Sequence, residues 1–206
     1  MSLLTTWGYT LSDIDSLPAM MSGQEYVDIT GRCDDYSRVD KEISAACGAI
    51  RNFVGWHLYP AEACILNTII SDRRIMFSGS DLIIQLPARH VTGVTSVSID
   101  GVEYSNYHID PSGLLYVFGV DSLIKRFTLV SVAYTAGLSD DLVAPIKELI
   151  AHRVTHAMAV PPGITSEASG GVSVTYNANW INNSRATALV GDNKELLVPY
   201  KVQGVF

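Results

Sequence analysis

Cysteine is scarce in this chain, which limits the metal and disulfide chemistry open to it. Only Cys33, Cys47 and Cys64 occur among its 206 residues. They form no C-x-x-C motif, which argues against a structural zinc site, and their odd number argues against a disulfide framework. Separated free thiols are typical of a reducing compartment. We therefore expect all three cysteines to be reduced.

Charged residues are also few, at 17% of the chain, and the formal net charge is −7. A protein that reads nucleic acid by sequence usually carries a surplus of Lys and Arg. The acidic balance therefore argues against sequence-specific DNA binding. The apolar fraction of 48% instead indicates a globular protein with a sizeable core.

Neither a secretion signal nor a membrane span is expected. The N-terminus has no basic region followed by an apolar run, as a signal peptide would. The most apolar long segment, residues 142–160, is interrupted by charged and imidazole side chains, so it does not predict a transmembrane helix. These are Lys147, Glu148, His152, Arg153 and His156.

Sequence motifs of the common enzyme classes are absent. There is no G-x-G-x-x-G or G-x-x-x-x-G-K-[ST] phosphate-binding loop, and no G-x-S-x-G nucleophile elbow. His57 has no nucleophile beside it in the sequence, and Cys47 lies on an apolar helical stripe, where a thiol is usually a core residue. We predict a protein that is not an enzyme and needs no cofactor.

One pair of histidines leaves a metal-dependent alternative open. His152 and His156 are four residues apart on a predicted helix, so both rings face the same side. Glu148 lies on that side and is a candidate third ligand for a small metal-dependent hydrolase. Arg153 stands where a zinc metalloprotease has its general base, and its charge would oppose a dication. A polar stripe is the favoured interpretation.

The stretch from Ser37 to Pro60 predicts an amphipathic helix closed by a bulky aromatic residue. Ser37 and Asp40 fit a capping box. Gly55 suits the left-handed position after the helix, Trp56 follows it, and Pro60 prevents the helix from resuming. Apolar residues at three- and four-residue spacing form one stripe: Val39, Ile43, Ala46, Cys47, Ile50 and Val54.

Beyond Pro60 the apolar spacing changes to alternation, which predicts short β-strands. Asp100-Gly101 is a strong hairpin signal, because a type I′ turn needs positive φ at both positions. We expect an antiparallel meander of about four to six strands, drawn from runs rich in β-branched and aromatic residues. These runs are residues 63–70, 82–86, 94–99, 102–109, 114–118 and 127–134.

A second helix is predicted after Ser139, with Pro145 in its first turn and Pro161-Pro162-Gly163 as its end. The fold class is therefore α+β, with two main helices packed with the meander. Residues 1–35 form an N-terminal arm and a short helix, 36–160 the core, and 161–206 an extended loop and C-terminal segment. We expect the opening dozen residues to be ordered only against a partner, with simple fraying as the alternative.

The run from Ala49 to Pro60, AIRNFVGWHLYP, resembles the A-x-I-R-x-Y/F-x-G-W-H-x-x-P segment of tailed-phage head–tail connector (adaptor) proteins. Val54 stands where Cys is frequent in that family. Further similar segments follow in the family's order over roughly residues 25–206. They include 86–88, 91–97, 112–115, 130–137, 166–176 and 197–201.

The resemblance implies a structural virion protein made in the host bacterial cytoplasm and located at the head–tail junction. It implies a homo-oligomeric ring of twelve subunits beneath the portal protein, joined on its other side to a neck or tail-terminator protein. Double-stranded DNA would pass through without sequence-specific binding. A tail-completion or neck protein of similar fold is the alternative.

Two sets of residues are candidates for these roles. A structural motif at the end of the first helix comprises Arg51, Gly55, Trp56, His57 and Pro60. A subunit-contacting loop is expected at residues 164–185, where the sequence turns polar. Its candidate interaction residues are Ser166, Glu167, Gly170, Gly171, Val172, Val174 and Tyr176.

Overall fold

The chain divides into two compact units, each assembled from segments that are distant in sequence. Unit 1 comprises Met1–Pro18, Val54–Ser139 and Tyr200–Phe206, and unit 2 comprises Ala19–Phe53 and Asp140–Pro199. The structure, a computed structural model, describes residues 3–12, 14, 16–32, 35–120, 128–159, 166–169, 172–175 and 192–202.

The predicted α+β class is confirmed: the described residues form four α-helices and antiparallel sheets of six and four strands, with a separate two-stranded hairpin. In chain order the strands are β1 (Leu3–Leu4), β2 (Thr10–Leu11), β3 (Glu62–Ile69), β4 (Ile75–Ser78), β5 (Asp81–Gln85), β6 (Val91–Ile99), β7 (Val102–Glu103), β8 (Tyr107–Ile109), β9 (Leu114–Val117), β10 (Leu129–Ala136), β11 (Ser166–Ser169) and β12 (Val172–Thr175).

The six-stranded sheet of unit 1 has the order β1-β2-β3-β10-β6-β7. At its centre Val132 of β10 pairs with Leu66 of β3 on one side and with Val97 of β6 on the other. All three side chains are buried. Because successive side chains in a strand alternate between faces, this row lies within one continuous apolar face of the sheet.

The four-stranded sheet of unit 1 has the order β4-β5-β9-β8. Ile84 of β5 pairs with Ile75 of β4 and Leu115 of β9, and all three are buried. The predicted strand at 102–109 is wrong, because it divides into β7 in one sheet and β8 in the other. The chain changes sheets there, so the strands form two sheets rather than one meander.

The N-terminal residues belong to the core of unit 1. Leu11 of β2 pairs with Cys64 of β3, and β1 pairs with β2. Tyr9 and Leu11 are 1% and 0% exposed. The expectation that these residues are ordered only against a partner is therefore wrong. The Asp100-Gly101 turn is confirmed, with φ of 52° and 79°.

Unit 2 is mainly helical. Its helices are α1 (Gly23–Thr30), α2 (Tyr36–Val54, whose last residue belongs to unit 1), α3 (Asp140–Ala159) and α4 (Asp192–Leu197), the last followed by a 3₁₀ turn at Val198–Tyr200. Ser22 and Glu25 form a capping box at the start of α1. Lys147 of α3 donates to Glu25 at 2.6 Å, so an ion pair joins α1 and α3.

The apolar stripe of α2 is confirmed, since all six of its residues are at most 1% exposed. Its start is different from the prediction. Asp35, not Ser37, caps the helix, because its carboxylate accepts the Ser37 N–H at 3.0 Å and its carbonyl accepts that of Val39. In α3, Pro145 lies inside the helix rather than in its first turn. The carbonyl that loses a donor is that of exposed Asp141, where water can replace it.

Candidate functional site

The turn after α2 contains most of the predicted structural motif and is enclosed within unit 1. Gly55 has a φ of 82°, the left-handed conformation predicted for it. Trp56 follows and is completely buried, and its indole N–H donates to the Tyr200 carbonyl at 2.7 Å. The Val202 N–H donates to the Val54 carbonyl at 2.9 Å. Residues 200–202 are therefore hydrogen-bonded to this turn at two points.

Two imidazole rings lie against the Trp56 indole. His90 stacks on it with 6.5 Å between ring centroids and 13° between planes, and His57 meets it edge-on at 5.4 Å. Tyr200 lies 6.2 Å from His90. Burial and the nearby charge of Arg89 lower the pKa of His90. The cluster therefore favours a neutral, stacked imidazole.

His57 is completely buried, and both of its ring nitrogens are hydrogen-bonded. Nε2 lies 2.8 Å from the Ala136 carbonyl, which can only accept, so Nε2 carries a proton. Nδ1 lies 2.7 Å from the Tyr9 hydroxyl, which also accepts the His57 backbone N–H at 3.0 Å. The neutral Nε2–H tautomer satisfies every one of these groups. The geometry makes His57 a structural residue rather than a base presented to a substrate.

Gly137 packs against the Pro60 end of the same turn. Its φ is 145°, and a Cβ atom there would collide with Cα of Ala61 and lie 2.5 Å from the Pro60 carbonyl oxygen. The Leu138 N–H donates to the Leu58 carbonyl at 2.8 Å. The end of β10 is thereby held against residues 58–61.

Arg51, the remaining motif residue, lies in the last turn of α2 and is buried, 7% exposed. The prediction that Cys47 is a core residue is confirmed. Its sulfur accepts the Met20 N–H at 3.3 Å, and burial raises the pKa of the thiol. Burial also raises the pKa of Cys64 to about 12. Both thiols are thus poor nucleophiles near neutral pH.

His152 and His156 lie side by side on α3, as the spacing predicts, with ring centroids 4.7 Å apart. Burial lowers the pKa of His156, and the charges of His152 and Arg153 add to that effect. Glu148 is exposed. Among the residues that the structure describes, no group of three or more His, Cys, Asp or Glu side chains could hold a metal ion.

The predicted interaction loop contains a β-hairpin. Ser166 pairs with Thr175, and Ser169 with Val172, so Glu167, Val172 and Val174 all lie on paired strands. Gly170, Gly171 and Tyr176 lie outside the described residues. Within the described part of the chain, β11 and β12 pair only with each other.

A polar groove of about 330 Å³ lies between β6 and the segment joining β7 to β8, and sequence reasoning missed it. The Tyr107 hydroxyl donates to the Val94 carbonyl at 3.1 Å beside it. Its only carboxylate is that of Glu103, and no nucleophile–base pair lines it. The lining residues are Thr95, Ser96, Val97, Glu103, Tyr104, Ser105 and Tyr107.

An apolar row crosses the outer face of the four-stranded sheet. Met76 pairs with Ile83, Ile83 with Tyr116, and Tyr116 with His108, so the four side chains lie abreast on one face. Met76 is 37% exposed, and the His108 ring lies 6.4 Å from that of Tyr116. This row ends at β4, the edge strand.

A comparison with protein-family models finds no match for this chain, and a comparison with curated protein sequences finds none either. No helix among the described residues is long and apolar enough to cross a membrane.

Proposed function

We propose that this chain is a structural subunit of a tailed-phage head–tail connector, a ring beneath the portal protein that joins capsid to tail. The sequence resemblance centred on Gly55, Trp56 and His57 is the starting point. The proposed protein is not an enzyme, carries no cofactor and acts at the virion neck.

The observation that carries the proposal is the use made of those motif residues. Gly55 provides the left-handed turn, Trp56 holds the Tyr200 carbonyl, and His57 holds Tyr9 and Ala136. The side chains of Trp56 and His57 join segments that are far apart in sequence, and both are completely buried. A motif of this kind preserves a rigid shape, which is what a ring subunit needs from its signature residues.

The charge of the chain supports a passive relation to DNA. A formal net charge of −7 on each subunit would repel phosphate, so that a genome could pass through a ring of such subunits without adhering to it. Contacts between neighbours in the ring would be heterologous, with one surface meeting a different surface of the next copy. The loop at 164–185 is proposed as one of these surfaces.

Light scattering of the purified protein, alone and mixed with the portal protein of the same phage, tests the proposal. The expected result is a complex many times the mass of either protein in the mixture. Deleting residues 166–176 should leave the subunit folded, with an unchanged melting temperature, but unable to join portals. Failure of the intact protein to associate with portal would overturn the connector function, as would infectious, DNA-retaining particles assembled from the deletion variant.

The histidine pair on α3 keeps a hydrolase as a second candidate, because its rings are only 4.7 Å apart. Metal analysis of the purified protein distinguishes the two functions. Stoichiometric zinc that is lost in a His152→Ala variant would favour the hydrolase. The other alternative, a tail-completion or neck protein, predicts binding to tail proteins in place of the portal protein.

A further inference from the structure

Strand β4 is an uncharged edge strand, and three of its four residues, Met76, Phe77 and Ser78, are exposed. Its sequence is Ile-Met-Phe-Ser, and it pairs only with β5 among the described residues. Proteins usually protect such an edge with Lys, Pro or a covering segment, because its open backbone groups are a template for another strand. Here Phe77 is 49% exposed and Met76 is 37% exposed.

The backbone groups that face outward follow from the register. Ser78 pairs with Asp81 and Met76 with Ile83, and the Gln85 N–H donates to the Arg74 carbonyl at 2.7 Å. Hydrogen-bonded positions alternate along an antiparallel strand, so Met76 and Ser78 direct their backbone groups to β5. The N–H and carbonyl of Phe77 therefore face the open side of the strand, and so does the carbonyl of Ile75.

Among the described residues, the β11–β12 hairpin also lacks a neighbouring strand. A two-stranded sheet is only marginally stable in water without a third strand. β12 reads Val-Ser-Val-Thr, which is uncharged and rich in β-branched residues. At four residues each, β12 and β4 both extend about 13 Å. Neither strand contains a charged residue, so pairing β4 with β12 places no two like charges opposite each other in copies that each carry a net charge of −7.

We propose that the outer edge of β4 binds β12 of a second copy of this chain as an added strand. The incoming strand would hydrogen-bond to the N–H and carbonyl of Phe77 and cover the Met76 end of the apolar row. This inference rests on the proposed function, since it names the surface on which one subunit of the ring receives the next.

Disulfide trapping between two separately purified proteins tests the pairing. One protein carries Phe77→Cys, the other carries a cysteine at one of positions 172–175 in turn, and both carry Cys33→Ser. Cys47 and Cys64 are buried and remain unreactive. Under mild oxidation we expect a covalent dimer to form between the two proteins at one or more of the four positions. Its formation should be several-fold faster than in a control in which Thr92→Cys replaces Phe77→Cys. Thr92 is an exposed residue of the other sheet.

Equal rates for Phe77→Cys and Thr92→Cys would overturn the proposal. A variant that carries both cysteines in the same molecule would overturn it if the disulfide formed only within one chain. The proposal would also fail if Phe77→Cys formed disulfides mainly with Phe77→Cys of another copy.

A second variant separates backbone pairing from side-chain contact. Phe77→Pro removes the phenyl ring and, of the backbone groups, only the outward N–H, so the bonds to β5 stay intact and association between copies should be abolished. Phe77→Thr also removes the ring but keeps that N–H, and it should retain most of the association between copies. If trapping stays at the Thr92→Cys rate while the protein still joins portal, this inference fails and the connector function survives. Specific trapping without portal binding would support the strand pairing and overturn the connector function.

Discussion

The Tyr9 hydroxyl lies 2.7 Å from Nδ1 of His57 and 3.0 Å from its backbone nitrogen, so one oxygen serves two buried groups of the same residue. Tyr9→Phe would leave both groups without their partner. Each unpaired buried group costs about 1–3 kcal/mol, so we expect the free energy of unfolding in urea to fall by roughly 2–6 kcal/mol. Tyr107→Phe, which removes one partly buried bond to Val94, should cost about 1 kcal/mol. Equal losses would contradict this account of His57.

Trp56 should be the largest single contributor among the motif residues. Trp56→Ala removes a fully buried ring and the bond to Tyr200, and we expect a loss of about 3–5 kcal/mol in the free energy of unfolding. Trp56→Phe keeps most of the ring but loses the N–H, and should cost considerably less. Thermal unfolding followed by circular dichroism measures both. An unchanged melting temperature for the alanine variant would show that the ring is not buried in solution.

Gly137 and Gly48 form a matched pair for alanine substitution. A Cβ at Gly137 collides with the backbone of Ala61 and demands an unfavourable φ of 145°, so Gly137→Ala should lower the melting temperature sharply. Gly48 lies exposed within α2, and a Cβ there meets nothing within 4 Å. Gly48→Ala should therefore stabilise the protein by about 0.5–1 kcal/mol. Similar effects of the two substitutions would be inconsistent with the described packing.

The ion pair between Glu25 and Lys147 predicts a pH-dependent contribution. The hydrogen bond from Lys147, with that from the Ser22 backbone, holds the pKa of Glu25 below its ordinary value. A carboxylate whose pKa is lowered by folding stabilises the protein above its unfolded pKa, and the effect disappears as pH falls through the folded pKa. Lys147→Met should therefore cost less than about 1 kcal/mol at pH 7, because Glu25 is partly exposed.

That difference in the free energy of unfolding between wild type and Lys147→Met should shrink as the pH is lowered below about 4, the range in which an ordinary Glu takes up its proton. Urea titrations of both proteins at several pH values measure it. Glu25→Gln is the control, because Gln has no carboxyl group to take up a proton and so the contribution of this pair to the pH dependence is removed. A difference that grows on acidification would rule out this ion pair as its source.

Local patterns predict the elements whose cause is local. The stripe of α2, the left-handed Gly55 and the Asp100-Gly101 turn are all set by neighbouring residues, and each is present. Strand β4 is absent from the predicted strands because its apolar run, Ile-Met-Phe, is only three residues long. Its position depends on the pairing of Met76 with Ile83, which the sequence of β4 does not encode.

The site residues show the same division. Trp56 and His57 are recognisable in the sequence as a motif, but their partners are not. Tyr9 is 48 residues from His57 and Tyr200 is 144 residues from Trp56, and no spacing rule connects them. The N-terminal residues are predicted to form an arm for the same reason. Their pairing with β3 joins residues that are far apart in sequence and is visible only in the folded chain.

The bond between Trp56 and Tyr200 has a consequence for synthesis on the ribosome. Unit 1 needs residues 200–202 to complete the surroundings of Trp56, yet these residues emerge long after β2 to β10 have been translated. Domains commonly fold as they leave the exit tunnel, from the N-terminal side onward. Here the strands translated earlier have Trp56 incompletely covered until residues 200–202 have also left the tunnel.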